Sequence, residues 1–317
     1  MLAFVAVADR RRRYEPPDKI QLEAAQQGKP EWAPEIALPE RALGFRVQEY
    51  GLTCFDDLFT ARQIVALDTF ATLVPEARDW ITHDAIVAGR DPEPLPLVEG
   101  GKGARAYADA VTAFLGLCVG KMVQSNNALV RWYIDARNGS AQALPAFDRN
   151  AIPMIWDFAE VNPFGGSVGS WSNQVATALR ALPLVDPYGP AAAVRQMDAR
   201  AIASVRLSNI AVATDPPYFD NIGYADLSDF FYVWLRRALG DVYPNLFATI
   251  LTPKSTELIA NPYRHGGDAG AAKPYFREGF QHVFSQVAKL QRSDIPISIV
   301  YAFKQDEESD GEDASTG

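Results

Sequence analysis

Apolar positions in the first half of the chain recur at helical spacing. Thr60 and Gln63 are placed as a capping box, and Ile64, Leu67, Phe70 and Val74 follow three or four residues apart, which predicts a helix from about residue 61. A Pro/Gly loop at Asp91 to Gly103 then separates this helix from a second one. Tyr107 to Tyr133 reads as that long helix, with Val111, Phe114, Leu115, Cys118 and Met122 on its buried side. Ahead of both, Leu2 to Val7 is a short apolar run that reads as a strand. Tyr14 to Gly51, rich in proline and polar residues, has no sustained period and reads as extended chain draped over a surface. Past Ala143 the texture changes to short apolar runs, among them Ile152 to Phe158, Ala192 to Arg195 and Ile210 to Thr214, bounded by Pro, Gly and Asp. That rhythm predicts an α/β region behind a mainly helical one, with residues 1–142 helical, 143–304 α/β and 305–317 an acidic tail. Ser208 to Thr214 is expected to be an inner strand of a largely parallel sheet, and Ile297 to Phe303 a late strand of the same sheet.

Composition narrows the setting. The 317 residues are 48% hydrophobic and 22% charged, and no apolar run stands out as a membrane span, so a globular protein with a core of its own is expected. Cys54 and Cys118 lie far apart and outside any CxxC pair, which fits a reducing, cytoplasmic environment and offers no zinc or disulfide framework. Net charge is −9, of which the stretch Asp306 to Asp313 supplies six negative charges, leaving the body close to neutral. Contact with nucleic acid would therefore come from a local patch rather than from a global field. The run Arg10 to Arg13 could meet phosphate, but a solvated turn is the plainer reading.

The most informative stretch follows the strand at 208–214. Asp215, Pro216, Pro217 and Tyr218 stand at its carboxyl end, where open α/β sheets gather their function. Two prolines cannot donate ladder hydrogen bonds, so they end the pairing and stiffen a loop. The loop offers a carboxylate, a backbone carbonyl and an aromatic ring at one place. Carboxylate and carbonyl can both accept hydrogen bonds from an exocyclic amine, and the ring can stack on the base that bears it. The plain alternative is a Pro-Pro turn whose aspartate caps backbone amides. Seventeen residues upstream, Val194 to Asp198 (VRQMD) reads as another strand ending in an acid.

These residues resemble a known arrangement. The segment TDPPYFDNIGYADLSDFFYVWLRRAL, with LTPK at 251–254, VYAFK at 300–304, RVQEYGLTCFDDLFTARQIVALDTF at 46–70 and MIWDFAEVNPF at 154–164, is similar to the large putative adenine-specific DNA methylases that carry a domain of unknown function at their start. The resemblance implies a partial Rossmann-like methyltransferase sheet, S-adenosylmethionine as cofactor, no metal, and adenine flipped from DNA as substrate. Asp215, Pro216, Pro217 and Tyr218 would be catalytic, and Asp198 would read the cofactor's adenosine. The family's glycine-rich DPFxGxG loop is not found, so the chain reads as an internal segment whose partners include missing parts of the same protein. Asn162 to Gly169 (NPFGGSVG) is a local substitute that would bring Phe164 and Gly165 to the cofactor; otherwise it is a turn before a helix starting near Ser170.

Other polar residues carry weaker expectations. Ala225 to Leu239 reads as a core helix stopped by Gly240, with Arg236 and Arg237 complementing its dipole or meeting DNA phosphate. Lys254, Arg264 and Lys273 fall in a long Pro/Gly-rich loop, Thr252 to Pro274, that could form a lid. His83, His265 and His282 have no second ligand at metal spacing, and Asn126 and Asn127 could sit at a polar interface. Three readings remain open at this point: an adenine-N6 DNA methyltransferase segment, a catalytically silent nucleic-acid-binding or scaffolding piece, and an amino-methyltransferase acting on RNA or cytosine N4.

Overall fold

A computed structural model describes residues 3–8, 11–137, 139–147, 150–185, 189, 192–205, 207–220 and 222–301. Arg10 and the acidic tail lie outside these residues, as do the last residues of the strand expected at 297–303. The chain forms two compact units, Met1–Ala193 with Ala225–Thr252, and Val194–Tyr224 with Pro253–Gly317. The change of texture at Ala143 falls inside the first of them.

Among the described residues the first unit holds five α-helices, three of them ahead of residue 126. α1 (Lys19–Gln26) lies in the stretch expected to be extended. It starts at a capping box of its own, in which the Asp18 side chain accepts from the Gln21 N–H and the Gln21 side chain accepts from the Asp18 N–H. α2 (Ala61–Val87) starts at the Thr60–Gln63 box as expected, and Leu67, Ala71 and Val74 are buried along one face. α3 (Ala104–Ser125) packs along α2 and is shorter than expected. Asn126 and Asn127 stop it by turning their side-chain amides back onto the carbonyls of Met122, Val123 and Gln124.

The buried face of α3 is also turned from the expected one. Cys118 and Met122 are buried, but Phe114 is 40% exposed, and Gly116 and Gly120 take the inner positions. A Cβ at Gly116 would stand 2.5–2.7 Å from the side chain of Leu239, so the glycine is what lets a neighbouring helix approach. By length and apolar composition α3 would suffice to cross a membrane, which the sequence reading overlooked; half of its most apolar stretch is buried inside the protein, as for a core helix.

Two hairpins complete this part: β1 (Phe4–Ala8) with β2 (Arg11–Glu15), and β3 (Arg131–Ile134) with β4 (Ala141–Leu144). The arginine run is therefore a strand rather than a turn from Arg11 onward. The expected strand at 152–158 reduces to single bridges, Ile152 to Phe45 and Phe158 to Arg131. α4 (Trp171–Ala181) follows the NPFGGSVG turn. α5 (Tyr224–Leu239) is the predicted core helix, and its Phe230 and Trp234 are fully buried against Phe59. Gly240 ends it, its N–H bonded to the Arg236 carbonyl.

One buried ion pair ties the helical body together. Arg78 of α2 donates from Nε to Asp109 of α3 at 2.7 Å, both being almost fully buried, and from Nη1 to the Asp241 carbonyl. The other oxygen of Asp109 accepts from the Leu97 N–H at 2.9 Å, and Arg105 approaches the first at 3.6 Å. A carboxylate taken out of water this completely is tolerable only with its lone pairs matched.

The second unit holds the parallel pair β5 (Ala213–Thr214) and β6 (Ser298–Ile299), with α6 (Ala269–Leu290) between them in sequence. No Rossmann-like sheet forms among the described residues: this pair has two residues in each strand, and the other two sheets are the antiparallel hairpins. Ser208 and Asn209 are exposed and the strand is not buried on both faces, which corrects the inner-strand expectation. Residues 192–198 form no strand either. Asp198 instead caps a 3-10 turn at Ala199–Ser204 through the Arg200 N–H, an arrangement short acidic side chains favour over pairing. The fold is thus mixed helix and strand, with helix dominant.

Candidate functional site

Four backbone hydrogen bonds set the loop after β5. Ile210 exchanges bonds with Leu290 and Arg292, Ser298 N–H donates to Val212, and Val300 N–H donates to Thr214 at 2.9 Å. Asp215, immediately beyond, is exposed, while Pro216, Pro217, Tyr218 and Phe219 are half-buried. Phe219 has φ of +30°, outside the regions an L-residue occupies readily. Its carbonyl accepts from the Ala260 N–H at 2.9 Å and its ring meets Phe276 of α6 edge-on, and these contacts hold the unusual conformation in place.

Within the loop the acid and the phenol are partners. Tyr218 donates its hydroxyl to Asp215 Oδ1 at 2.9 Å, and this bond, followed by burial and the carboxylate's charge, raises the phenol's pKa above its ordinary value. The Tyr218 ring also stands edge-on to Tyr301 at 5.6 Å. Tyr224, at the start of α5, has its pKa raised by burial and by the negative charges of Asp215 and Glu257. Beside the loop, an apolar groove of about 350 Å³ is lined by Pro216, Phe276, Phe280, Phe284, Ile299 and Tyr301, with Arg277 at its edge. Phe276, Phe280 and Phe284 succeed one another every four residues along α6, a spacing visible in the sequence that the sequence reading did not use.

The other predicted site residues are placed differently. Both oxygens of Asp198 accept from the Arg200 guanidinium, at 2.7–3.1 Å, and Oδ1 also accepts from the Arg200 N–H. Those hydrogen bonds hold the Asp198 carboxyl below the usual aspartate range. Arg200 in turn lies over the Tyr275 ring at 5.5 Å. Phe164 and Gly165 belong to the first unit, apart from the Asp215 unit. There Asn162 closes a turn by accepting from the Phe164 and Gly165 N–H groups, and Phe164, 81% exposed, tilts against Phe70. Gly169 ends that turn at φ +93°, its carbonyl held by Asn126.

Most of the candidate DNA-facing cations are engaged within their own unit. Arg237 donates to Asp68 at 2.9 Å and lies over the Trp32 ring, and Arg236 donates to the Phe247 carbonyl. Arg264 pairs with Glu257 and donates to the Lys254 carbonyl, so the stretch expected to be a lid is braced. Its far end is helical, with Lys273 and Pro274 inside α6. Among the described residues there is no group of three or more His, Cys, Asp or Glu side chains at metal-binding distance. No protein family, no curated protein and no solved structure matches this chain.

Proposed function

We propose that this chain carries the amine-accepting loop of a methyltransferase acting on adenine N6 in DNA. The observation that supports it most is the placing of Asp215 and Pro216 at the carboxyl end of β5, beside a largely aromatic groove with room for a base. In this reading the Asp215 carboxylate and the Pro216 carbonyl accept the two N–H bonds of a planar amine. They also stabilise the positive charge that develops when such a nitrogen is alkylated. The bond from Tyr218 orients the carboxylate until the amine arrives. The half-buried rings beside it exclude water from one side of the base.

S-adenosylmethionine is the donor this reading implies. Asp198 as placed does not fit it, because Arg200 engages both of its oxygens, and Phe164 and Gly165 stand in a turn closed by Asn162. No residue of this chain is therefore assigned to the cofactor. That same mismatch favours the second reading, a catalytically silent nucleic-acid-binding piece.

The two readings separate in one experiment. S-adenosylmethionine is titrated calorimetrically into the chain, and transfer of a labelled methyl group to adenine-containing duplex DNA is followed in parallel. Binding with transfer that Asp215→Ala abolishes supports the enzyme; transfer that survives Asp215→Ala sinks the assignment of this loop. Absence of both binding and transfer selects the silent reading.

A further inference from the structure

The arginine run is left unused by that reading, and its setting is unusual. In the first hairpin Val7 pairs with Arg12, Ala6 with Arg13 and Val5 with Tyr14. Neither strand alternates polar with apolar residues: β1 is apolar throughout, and β2 reads Arg-Arg-Arg-Tyr-Glu. Successive side chains of a strand point to opposite faces, so Arg12 and Arg13 place a cation on each face of the ribbon. Both are exposed. Tyr14, 53% exposed, shares the face of Arg12 and meets Trp132 of β3 edge-on at 6.2 Å. Beside Trp132, β3 carries Arg131 and the 40% exposed Tyr133. The indole N–H of Trp132 is buried without a hydrogen-bond partner.

We propose that the β1–β2 ribbon, with Tyr14 and its neighbour Trp132, is a binding surface for the sugar-phosphate backbone of nucleic acid. A guanidinium offers a planar fork of donors that matches phosphate oxygens, and one on each face lets the ribbon meet successive phosphates. An exposed ring beside an arginine, as Tyr14 is beside Arg12 on one face, is a platform on which an unpaired base can stack. An anionic lipid surface would share the cation chemistry but would need large apolar side chains to enter it. The described apolar residues of the hairpin are one half-buried Phe4 and small aliphatic chains. The inference shares a polymer with the methyl-transfer reading but requires no methyl donor and no intact DPPY loop.

The experiment is fluorescence anisotropy of a labelled single strand and its duplex, titrated with the full chain over a range of salt concentrations. Arg12→Ala/Arg13→Ala is expected to weaken binding about tenfold and to flatten the dependence of log K on log salt by about two. Arg12→Lys/Arg13→Lys, which keeps both charges, should keep the slope. Tyr14→Leu, which keeps apolar bulk against Trp132, should weaken the single strand and spare the duplex. Unchanged affinity and slope in the double alanine variant would overturn the proposal, as would failure of the parent chain to bind either oligonucleotide. Binding to phosphatidylglycerol vesicles in place of oligonucleotides would overturn it in favour of a membrane. Loss of binding in Asp215→Ala alone would move the nucleic-acid site to the DPPY loop and sink the ribbon.

Discussion

The two units handle charge in opposite ways. In the first, Asp109 and Arg78 are buried together, with each oxygen of the carboxylate accepting a hydrogen bond. In the second, Asp215 is exposed and accepts from the Tyr218 hydroxyl, which under the proposed function would give way to the amine. The cores differ in the same sense. Of the twelve largest fully buried side chains among the described residues, Ile259 alone comes from the second unit, so resistance to unfolding is concentrated in the first. A buried carboxylate with both oxygens engaged is a structural part, whereas an exposed acid is accessible for chemistry.

The contrast breaks most visibly at Asp109. Asp109→Ala leaves the Arg78 guanidinium buried without its counter-charge and strips the Leu97 N–H of its acceptor, and is expected to destabilise the first unit by about 3–5 kcal/mol. Urea unfolding followed by tryptophan fluorescence reports it, and a loss below about 1 kcal/mol would mean that the pair is not the tie described.

Paired glycine substitutions come next. At Gly116 a Cβ meets Leu239 from its Cγ outward, so Gly116→Ala should lose about 1–3 kcal/mol. At Gly279 of the second unit the one atom under 3 Å is a terminal methyl of Leu258, so a rotation of that side chain can relieve the contact and Gly279→Ala should lose less than about 1 kcal/mol. Equal losses would show the second unit to be as tightly packed as the first.

Asp198→Asn tests the more structural acid of the second unit. Its carboxyl lies below the ordinary range because Arg200 binds the charged form, so the pair contributes stability above about pH 4, the range of an unfolded aspartate. That contribution is lost as pH falls through the lowered pKa. The variant should be less stable by about 0.5–1 kcal/mol at neutral pH, given the pair's partial exposure, and equal to the parent in acid. Melting temperatures across a pH series check this, and a gap that persists at low pH would point to a role other than the ion pair.

The smallest expected effect is the most pointed. Asp215→Ala should change stability by no more than about 0.5 kcal/mol, because it removes one exposed hydrogen bond. A larger loss would make Asp215 a structural acid like Asp109.

What the sequence disclosed follows the range of the forces involved. Local devices were readable: the Thr60–Gln63 cap, the stop at Gly240, the turn before α4. The cap at Asp18 carries the same local signal inside a stretch whose proline and polar content otherwise reads as extended chain. Phe114 was misplaced because hydropathy ranks phenylalanine above glycine, whereas the approach of Leu239 requires the glycine side of α3 to face inward. The pairs Arg78–Asp109, Arg237–Asp68 and Arg62–Glu160 join residues far apart in sequence, and no local pattern announces them. The DPPY loop was located from its proline punctuation, but its setting was not. A strand expected to be enclosed proved open, and the acid expected to await a cofactor proved to be held by an arginine two residues away.

The first unit is discontinuous in the chain, and this orders events during synthesis. Phe230 and Trp234, at the centre of its core, are translated only after the whole DPPY segment has been made. A nascent chain ending before residue 225 therefore exposes the apolar walls that Phe59 and Gly116 later present to α5, and it must be kept from aggregating through that interval. Once α5 docks, the residues before and after 194–224 are fixed together, and the loop bearing Asp215 becomes a closed excursion from a folded body rather than a free arm. Ribosome-bound chains halted before residue 225 and chains long enough for α5 to clear the ribosome would differ in protease resistance by this one step.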